Sequence, residues 1–576
     1  MIEYNIRDTE LLEKLEDKLQ HINLANEIRV VCKTSFEGGL STFGQIDSMM
    51  VSFLNEKGLA SKNSDPHEKE KYPGAFVLEC EPGIYSNITD FDFTSLYPSV
   101  IMTYNIGLNS FVMKLKDSHM GYNLTYYPEK LPEKIEIILD PSFENKKITV
   151  HRDTLLKKVK DNNLIYTING CFFKQQENEL SYYSEVLFDL LSSRKSYKNK
   201  MLDAKEAGNE DIKNLYNTKQ LVYKVLANSL YGVIANAAFR FFDVSCAGAI
   251  TLGGQESLKN SIILGEEFMK HLYTGKEFVQ PKEIDEVEMY DKVLPNRKTE
   301  FIIGGDTDSI FCCFNKFKNK TNENINIWCN QIQEFLNNKI AEDIVKKHNV
   351  DLKYNKLSLK NELIISRALF LAKKRYAMHV IQQEGKDIDE VVYMGLEIKR
   401  SDYPSASKEF LKELLEIILK SETVSIPRLI KFINSERKGF IDLIKNGDKS
   451  ISKPVSYTKK ISSYKSIPQG VRSMENFNDL FYDTHTVGCK AYMFKISGID
   501  LEKAPKEIVD NYEKNFIAQN RKLDVIAIPD EEAKLPNFIL PDMKGIMKFA
   551  FEDRHEILLK PIFDGNSKKQ NQVLTI

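Results

Sequence analysis

The spacing of apolar positions divides the chain into blocks of helical and strand character. In the first 30 residues, large aliphatic side chains recur every three or four positions, which predicts one helix with an apolar stripe. Residues 56–73 are polar and are interpreted as a linker. A β-rich block is predicted for 74–105. Residues 116–175 carry several Pro and Asn and are interpreted as an irregular insertion. The stripe consists of Leu11, Leu12, Leu15, Leu19, Ile22 and Leu24.

Helical spacing dominates from residue 181 to about residue 235. The turn signal Ala207-Gly208-Asn209 interrupts it, so the pattern predicts a helical hairpin with two long antiparallel arms. Beyond the hairpin, candidate domain boundaries lie near residues 70 and 400. The remaining predictions are helices at 247–271 and 324–348, a strand pair at 301–314, strands at 357–399, and mixed helices and short strands at 400–576.

Composition places the chain among large globular proteins. Its 576 residues correspond to about three or four domains of roughly 150 residues each. Hydrophobic residues make up 42% and 59 residues are Phe or Tyr (33 and 26), which excludes disorder over the whole length. The 80 basic and 82 acidic residues give a formal charge of -2. Binding to a polyanion therefore has to come from local basic patches.

The cysteines and the apolar runs indicate where the protein functions. The eight Cys form no C-x-x-C pair, which argues against a structural zinc or iron–sulfur site. Dispersed thiols are typical of a reducing compartment. The N-terminus is too polar for a signal peptide, and no run of 18 apolar residues occurs. We expect a cytoplasmic protein with no membrane partner, located in the host cytoplasm if it is viral.

Two short stretches carry carboxylates on apolar frames. In residues 88–93 (ITDFDF), strand alternation places Asp90 and Asp92 on one face. Residues 301–311 (FIIGGDTDSIF) predict a hairpin with acids at its tip. Carboxylates beside apolar strands are costly unless compensated, and a divalent cation such as Mg²⁺ provides that compensation. The alternative is a solvated surface turn, because D-x-D by itself is a weak signal.

Four segments resemble the motifs of family B DNA polymerases. Residues 92–99 (DFTSLYPS) resemble motif A, 224–232 (KVLANSLYG) motif B, and 306–309 (DTDS) motif C. Residues 373–376 (KKRY) resemble the element that grips primer DNA. All four occur in the order of the family. The run YPGAFV at 72–77 adds a similarity to the enzymes of tailed bacteriophages.

The resemblance covers residues 72 to 400 well and the last third weakly. It implies an α+β right-hand polymerase, with a palm built on an antiparallel sheet, helical-hairpin fingers and a mixed thumb. An exonuclease-domain remnant precedes these parts. The implied domains are 1–70 (exonuclease remnant and linker), 71–180 (first part of the palm, with the insertion), 181–236 (fingers), 237–399 (second part of the palm) and 400–576 (thumb).

The resemblance also implies a metal site. Asp92 and Asp308 are the implied metal-binding carboxylates, with the carbonyl of Phe93 as a further ligand. Asp306 is the implied catalytic auxiliary beside them. The cofactor is two Mg²⁺ ions, with Mn²⁺ as the alternative ion. Asp90 falls outside the motif and is interpreted as a solvated or hydrogen-bonded strand residue.

Motif A implies a nucleotide-binding role for the residues that follow Phe93. Tyr97 is expected beneath the deoxyribose of the incoming nucleotide, where its ring would collide with a 2′-hydroxyl. The alternative for a lone Tyr at a strand end is a core aromatic. The backbone N–H groups of Ser95 and Leu96 are expected to cradle phosphate oxygens.

The hairpin is expected to supply cations for a triphosphate. Lys224, Asn228 and Tyr231 follow i, i+4, i+7 spacing and share a helix face. Arg194 lies 14 residues before Gly208 and Lys224 lies 16 after it, so both are about 21–24 Å from the turn. By the resemblance, Arg194 clamps a phosphate, and Lys224 holds another and is a candidate proton donor to pyrophosphate. Asn228 supports the base or triphosphate, and Tyr231 packs against the nascent base pair. A solvated helix face is the alternative for any single Lys.

The KKRY segment is expected to bind the phosphates of primer-template DNA without reading sequence. Its residues are Lys373, Lys374, Arg375 and Tyr376, on an apolar frame that predicts a strand bordering a groove. Lys399 and Arg400 extend the cationic track. Glu362 matches an acidic position near the family's active site. An exposed charge run is the alternative for the segment.

Both termini carry short matches that point to partners. Tyr4 and Asp8 resemble the last exonuclease element, Y-x-x-x-D, and share a helix face. We hypothesise a split polymerase, in which a second polypeptide carries the remaining exonuclease and N-terminal domains. An accidental match is the alternative. Residues 571–576 (NQVLTI) faintly resemble a sliding-clamp peptide, and a disordered end is the alternative.

The function implied is DNA-templated addition of dNTPs to a primer 3′ end by two-metal catalysis in DNA replication. A protein-primed polymerase of the same family is one alternative, because the gap between Asp92 and Arg194 leaves room for an insertion. Polymerases of that type usually show a reduced K-x-Y in place of KKRY, whereas this chain has the full KKRY. An inactive scaffold of a replication complex is the other alternative.

Overall fold

The structure is a computed structural model of the chain. The residues that it describes are 2–61, 72–139, 146–279, 299–421, 424–459, 461–482, 488–529 and 534–563. Most of the predicted linker (residues 62–71) and the C-terminal tail (564–576) lie outside the described residues. Within the described residues, no helix combines the length and the apolarity needed to cross a bilayer.

Helices provide most of the regular structure in the first half of the chain. Those before residue 280 are α1 (Ile2–Leu19), α2 (His21–Cys32), α3 (Phe36–Gly39), α4 (Thr42–Glu56), α5 (Leu96–Thr103), α6 (Met120–Tyr126), α7 (Arg152–Asp161), α8 (Tyr182–Glu206), α9 (Glu210–Ile234) and α10 (Val244–Thr274). Those after it are α11 (Asn322–His348), α12 (Ser405–Lys420), α13 (Ile426–Lys445), α14 (Gln469–Phe481), α15 (Lys506–Tyr512), α16 (Met543–Met547) and α17 (Asp553–Phe563).

The strands form three sheets. The first eight are β1 (Val77–Leu78), β2 (Gly83–Phe93), β3 (Phe111–Leu115), β4 (Lys134–Leu139), β5 (Lys147–His151), β6 (Ile165–Tyr166), β7 (Cys171–Phe173) and β8 (Ile302–Asp306). The others are β9 (Ser309–Cys313), β10 (Leu359–Ala372), β11 (Arg375–Gln383), β12 (Lys386–Met394), β13 (Lys453–Ser456), β14 (Lys490–Ile499), β15 (Val525–Pro529) and β16 (Ile539–Pro541). The largest sheet has the order β1-β8-β9-β2-β10-β11-β12, and its β1–β8, β10–β11 and β11–β12 pairs are antiparallel.

The chain divides into two compact units. The first unit comprises Met1–Leu78, Phe91–Phe311 and Thr321–Asn361. The second comprises Glu79–Asp90, Cys312–Lys320 and Glu362–Ile576. The α+β class is confirmed by this mixture of helices and sheets. The assignment of palm, fingers and thumb stays a prediction.

The N-terminal 30 residues form two helices rather than one. The break falls at Gln20, which adopts left-handed dihedrals (φ 52°, ψ 37°). The Glu16 carboxylate accepts hydrogen bonds from the Ile22 backbone N–H at 3.0 and 3.1 Å and so satisfies an amide at the start of α2. The predicted apolar stripe on α1 is exposed: Leu12 keeps 68% and Leu15 keeps 48% of its surface.

The predicted β-rich block at 74–105 is wrong at its end, because residues 96–103 form α5. Ser95 turns the chain with a left-handed backbone (φ 51°) immediately before the helix. Pro98 does not break the helix, because it lies in the first turn, where its missing N–H has no helical acceptor.

The predicted irregular insertion is a regular α/β element of the first unit. Four strands of this segment join β3, which precedes it, in a sheet of order β5-β4-β3-β7-β6, and the β3–β4, β3–β7, β4–β5 and β6–β7 pairs are antiparallel. Leu155 and Val159 of α7 share a hydrophobic core with Ile135 and Ile137 of β4. Strand signals in this part of the sequence are short, and cross-strand pairing between distant residues decides the sheet.

The predicted helical hairpin is confirmed. Helices α8 and α9 have 25 residues each and pack along their length. Gly208 makes the turn with φ 70°, and the Asn209 side chain caps α9 by accepting from the Ile212 N–H at 3.1 Å. The predicted helices near 247–271 and 324–348 are confirmed as α10 and α11, and the predicted strands as β8 to β12.

The second unit is built around one large hydrophobic core. Helices α12 and α13 contribute Leu414 and Phe440, and the C-terminal segment contributes Phe551. The rings of Phe410 and Phe551 stack with centroids 4.6 Å apart. This core holds α12 to α17 against β14 and β15, which confirms the predicted mixture of helices and short strands after residue 400.

Candidate functional site

The acids of residues 306–308 lie at the tip of a tight hairpin, as predicted. Strand β8 ends at Asp306 and β9 begins at Ser309, so only Thr307 and Asp308 form the turn. Thr307 adopts a left-handed backbone (φ 65°), and its N–H donates to the Phe76 carbonyl at 3.2 Å. Gly305 permits the turn, because a Cβ there would lie 2.7 Å from the Ser309 carbonyl oxygen.

The end of β2 meets this turn through the backbone. The Phe93 N–H donates to the Asp308 carbonyl at 2.8 Å, and the Thr94 N–H donates to the Ser358 carbonyl at 3.0 Å. Asp92 and Asp308 are both half-buried, whereas Phe93 is fully buried. The structure therefore brings the residue after Asp92 to Asp308, although more than 200 residues separate them in the chain.

The donors at this junction suit a hard divalent cation. Among the described residues, no group of three or more His, Cys, Asp or Glu side chains is arranged to hold a metal ion. Mg²⁺ does not require such a cage, since it usually binds through one or two carboxylates and completes its octahedron with water and substrate phosphates. Asp92 and Asp308 provide that minimal oxygen set. Asp306 accepts a hydrogen bond from the Thr307 hydroxyl at 3.1 Å, which orients its carboxylate.

Tyr97 lies in the first turn of α5, where its ring is close to helix α10. The Ser99 hydroxyl donates to the Thr94 carbonyl at 2.8 Å and secures the start of the helix, whereas Leu96 is buried beneath it. Helix α10 approaches closely because residue 254 is Gly: a Cβ there would lie 3.2 Å from the Tyr97 ring. The ring is half-buried rather than enclosed in the core.

Three tyrosines converge beside Asp308. The rings of Tyr97 and Tyr231 lie 4.3 Å apart at 32°, and Tyr72 lies close enough to Tyr231 to affect its pKa. Burial, followed by the charge of Asp308, raises the pKa of Tyr97. Burial, followed by the two neighbouring phenols, raises the pKa of Tyr231. Sequence analysis recognised the segment of Tyr72 but did not assign this residue to the site.

The hairpin presents cations next to this cluster. Helix α5 contacts both α8 and α9. Lys224 and Asn228 are exposed on α9, and Lys224 has no ion-pair partner among the described residues. Arg194 on α8 has a buried Nε that finds no hydrogen-bond acceptor in the described part of the chain. A buried guanidinium N–H without an acceptor is costly, and an anionic ligand would satisfy it.

The two arms are aligned at the level of these cations. The ring of Tyr197, three residues after Arg194, stacks on that of Tyr223, the residue before Lys224, with centroids 5.5 Å apart and an interplanar angle of 21°. This contact agrees with the counting argument that placed the two cations at similar distances from the turn.

The KKRY segment lies in the second unit, where its two lysines form a turn and Arg375 and Tyr376 begin strand β11. Strand β10 ends at Ala372 and β11 begins at Arg375, so Lys373 and Lys374 occupy an exposed two-residue turn. Arg375 donates to the Glu397 carboxylate at 2.8 and 3.1 Å. Tyr376 is buried, with its ring 5.4 Å from that of Phe370. The two lysines are thus the members of this segment that face solvent.

The remaining predicted residues lie in helix α1, in strands β2 and β10, and in the C-terminal tail. Tyr4 and Asp8 lie within α1, but their side chains are outside the described residues, as are residues 571–576. Glu362 lies in β10 in the second unit. Asp90 is buried in β2, which argues against the interpretation of a solvated residue.

Comparison with known proteins assigns the family. The chain matches the model of DNA polymerase family B over residues 40–470 and belongs to that family. It is 26% identical over 475 residues to the DNA-directed DNA polymerase of Enterobacteria phage T4, a match that covers 76% of this chain and 50% of that protein. It is 25% identical over 461 residues to the DNA-directed DNA polymerase of Escherichia phage RB69, covering 73% and 48%.

Similarity extends beyond bacteriophages. The chain is 24% identical over 433 residues to a DNA polymerase of Archaeoglobus fulgidus, covering 74% of this chain and 41% of the archaeal one. The chain thus spans about half the length of the phage relatives that it matches. The family assignment confirms the resemblance found in the four motifs.

Proposed function

We propose that this chain is the polymerase component of a replicative enzyme and adds dNTPs to a primer 3′ end under the direction of a DNA template. The observation that carries this proposal is the 2.8 Å hydrogen bond from the Phe93 N–H to the Asp308 carbonyl. It joins the segment of motif A to the turn of motif C. Two carboxylates on adjoining backbones can share the cations that a nucleotidyl transfer requires.

In this proposal, Asp92, Asp308 and the Phe93 carbonyl hold two divalent cations, with Mg²⁺ as the expected ion and Mn²⁺ as the alternative. When bound, such ions lower the pKa of an attacking hydroxyl and neutralise the charge of the leaving group. Asp306 supports the site from the adjoining strand position. The oxygen-only donor set supports a hard cation over zinc.

The remaining residues bind and select the nucleotide. Arg194 and Lys224 hold the triphosphate, and Lys224 donates a proton to the departing pyrophosphate. The N–H groups of Ser95 and Leu96 contact phosphate oxygens, and Asn228 supports the triphosphate or base. Tyr97 excludes a 2′-hydroxyl by steric overlap, whereas Tyr231 packs against the nascent base pair. The unsatisfied Arg194 Nε and the contact between Tyr97 and Tyr231 support these roles.

DNA and further proteins are the proposed partners. Lys373 and Lys374 contact the phosphates of primer-template DNA, with Arg375 and Tyr376 supporting the turn. A second polypeptide carries the remaining exonuclease and N-terminal domains. The exposed apolar side chains of α1, such as Leu12 at 68%, offer that polypeptide a surface. We also propose that residues 571–576 bind a sliding clamp. The proposed location is the host cytoplasm.

The test is primer extension by the full chain with dNTPs and Mg²⁺. We expect the unmodified chain to extend a DNA primer and Asp308→Ala to lose at least about 100-fold in rate, because removing a metal ligand costs several kcal/mol of transition-state stabilisation. Asp203→Asn, which changes an exposed acid on α8, is the matched control and should keep the rate of the unmodified chain.

The outcomes separate the alternatives. Equal rates for Asp308→Ala and the unmodified chain would contradict the catalytic assignment. Extension that requires a protein primer would favour the protein-primed type, and no extension under any condition would favour an inactive scaffold. Co-purification followed by mass measurement tests the second polypeptide. That part fails if no partner is captured and no reconstituted mixture has nuclease activity.

A further inference from the structure

Glu266 is a buried acid on α10 whose carboxylate binds backbone amides of another element. It lies outside the four motifs and is 6% exposed. Three consecutive N–H groups donate to it: that of Glu300 at 2.6 Å, that of Phe301 at 3.3 and 3.0 Å to the two carboxylate oxygens, and that of Ile302 at 2.8 Å. These donors compensate a carboxylate that burial would otherwise penalise.

The three amides lie at the start of the strand that ends in the acidic turn. Ile302 is the first residue of β8, and Asp306 is its last. The side chains of Phe301 and Ile302 are buried, so this end of the strand is enclosed in the first unit. The Glu266 carboxylate therefore holds one end of a strand that is about 13 Å long, at roughly 3.3 Å per residue. The other end of that strand carries Asp306.

Helix α10 comes close to β8 at the same point because residue 265 is Gly. A Cβ on Gly265 would lie 2.9 Å from the Ile302 Cδ1, which is closer than side chains normally approach. The Ile302 side chain is fully buried, so it has little room to move away. The missing side chain thus sets the distance between helix and strand, and the hydrogen bonds to Glu266 fix the strand along the helix.

The same face of α10 also contacts the segment that pairs with β8. Lys259 lies seven residues before Glu266, so the two share one helix face. The Lys259 side chain is buried, and its ammonium lies 5.1 Å from the centre of the Phe76 ring, directly before β1. The Phe76 carbonyl accepts from the Thr307 N–H at 3.2 Å, within the acidic turn itself. Helix α10 therefore contacts both the start of β8 and the backbone beside its end.

We propose that Glu266 is a positioning residue that fixes β8 and thereby the acidic turn at residues 306–308. This inference rests on the proposed function, in which Asp308 holds a divalent cation. Glu266 acts through the strand and not by contact with the metal. Mg²⁺ demands near-ideal octahedral geometry, so a shift of the turn weakens its binding. The nucleotide-binding cations Arg194 and Lys224 lie on α8 and α9 and do not depend on β8 for their position.

The first experiment makes the same substitution at two buried acids of α10 in the full chain. Glu266→Gln replaces one acceptor oxygen with a donor that faces backbone N–H groups. Glu256→Gln is the matched control, since that acid accepts from the Tyr126 hydroxyl and pairs with His348 instead. One readout is the Mg²⁺ concentration for half-maximal primer extension. The other is the Mg²⁺ concentration for half of the metal-induced rise in unfolding midpoint, measured without nucleotide.

The expected effect is a weaker response to Mg²⁺. Loss of an outer-shell partner typically costs 10–100-fold in metal affinity, and a more remote support should cost less. We therefore expect Glu266→Gln to raise both Mg²⁺ concentrations roughly three- to tenfold. The KM for dNTP at saturating Mg²⁺ should stay within about twofold, because the hairpin is unaffected. Glu256→Gln should keep both Mg²⁺ values of the unmodified chain.

The second experiment displaces the strand without changing any charge. Gly265→Ala places a methyl group against Ile302 and should raise both Mg²⁺ concentrations in the same direction as Glu266→Gln. Gly248→Ala, on the same helix, is the control, because a Cβ there would meet its nearest atom at 3.4 Å, an ordinary contact. Gly265→Ala adds a single methyl group, so it tests the role of β8 even if Glu266→Gln folds poorly.

The results distinguish this inference from the proposed function. Extension by the unmodified chain with equal Mg²⁺ values for Glu266→Gln and Glu256→Gln overturns the positioning role alone. A lower unfolding midpoint in Glu266→Gln with an unchanged response to Mg²⁺ also overturns it, because that is the signature of a merely structural contact. A lack of extension by the unmodified chain overturns the proposed function, and the absence of any Mg²⁺-induced rise in its unfolding midpoint overturns the inference as well.

Discussion

The ring of Tyr97, in the first turn of α5, lies 4.3 Å from the ring of Tyr231 on the second arm of the hairpin. This contact connects motif A with motif B, which are more than 120 residues apart in the sequence. It places an aromatic wall beside Asp308, whose charge contributes to the raised pKa of Tyr97. In the function that we propose, the sugar of the nucleotide packs over the Tyr97 ring, which would overlap a 2′-hydroxyl.

Shortening Tyr97 should relax the choice of sugar. We expect Tyr97→Ala to increase the use of rNTP relative to dNTP on the order of tenfold or more, since overlap with a ring costs about 1–3 kcal/mol. Tyr97→Phe retains the ring and is the control, so it should keep the selectivity of the unmodified chain. The measurement is the ratio of kcat/KM for the two nucleotides. An unchanged ratio in Tyr97→Ala would contradict the steric role.

The support of Tyr97 by α10 can be tested through stability. A Cβ at residue 254 would meet Leu96 and Tyr97 at 3.2 Å, in a buried contact, so Gly254→Ala should lower the free energy of unfolding by about 1 kcal/mol. Gly232→Ala is the matched change, because a Cβ there meets nothing within 4 Å and helix propensity should add up to about 1 kcal/mol. Urea denaturation measures both. Equal shifts would show that Gly254 is not needed for close approach.

Removing the guanidinium of Arg194 should weaken nucleotide binding. Its buried Nε lacks an acceptor among the described residues, and a hydrogen bond to a charged phosphate contributes about 1.5–3 kcal/mol. We therefore expect Arg194→Ala to raise the KM for dNTP roughly 10- to 150-fold. Lys195→Ala changes the exposed neighbour on another helix face and should have little effect. Steady-state primer extension at varied dNTP gives both values, and equal KM values would contradict the phosphate role.

A buried ion pair in the first unit should make stability depend on pH. The His348 Nε2 lies 3.2 Å from the Glu256 carboxylate, and its Nδ1 donates to the Tyr166 carbonyl at 2.9 Å. Burial by itself lowers the pKa of His348, but the charge of Glu256 outweighs it and raises that pKa above 6.5. Burial by itself raises the pKa of Glu256, but His348 outweighs it and the pKa falls below 4.5.

The direction of the pH effect follows from these two shifts. Stabilisation from His348 is complete below pH 6.5 and is lost as the pH rises through its raised pKa in the folded state. Stabilisation from Glu256 is present above pH 4.5 and is lost as the pH falls through its lowered pKa. We expect the free energy of unfolding to decline from pH 6 to pH 8.5, and to decline less in His348→Gln. Parallel curves in urea denaturation would contradict this assignment.

Sequence patterns predicted the local elements well and long-range pairing less well. Apolar periodicity and the turn at Gly208 sufficed for the hairpin, because helices depend on neighbouring residues. Apolar periodicity did not predict the helix break at Gln20. There the left-handed backbone of Gln20 ends α1, and the Glu16 carboxylate accepts from the Ile22 N–H at the start of α2. The patterns also failed for the insertion at 116–175, whose four short strands form one sheet with β3. In the KKRY segment, Lys373 and Lys374 form a turn because β10 and β11 pair on either side of them, whereas Arg375 and Tyr376 lie in the predicted strand.

The sequence alone determined the family and the chemical types at the candidate site, because motif residues are specific in identity and order: carboxylates at 92, 306 and 308, cations at 194 and 224, and an aromatic at 97. Tertiary structure decided which of these groups meet. It placed Phe93 against Asp308, brought Tyr72 beside Tyr231, and stacked Tyr197 on Tyr223 between the hairpin arms. These contacts join segments far apart in the chain, and only the packing of the folded protein brings such segments together.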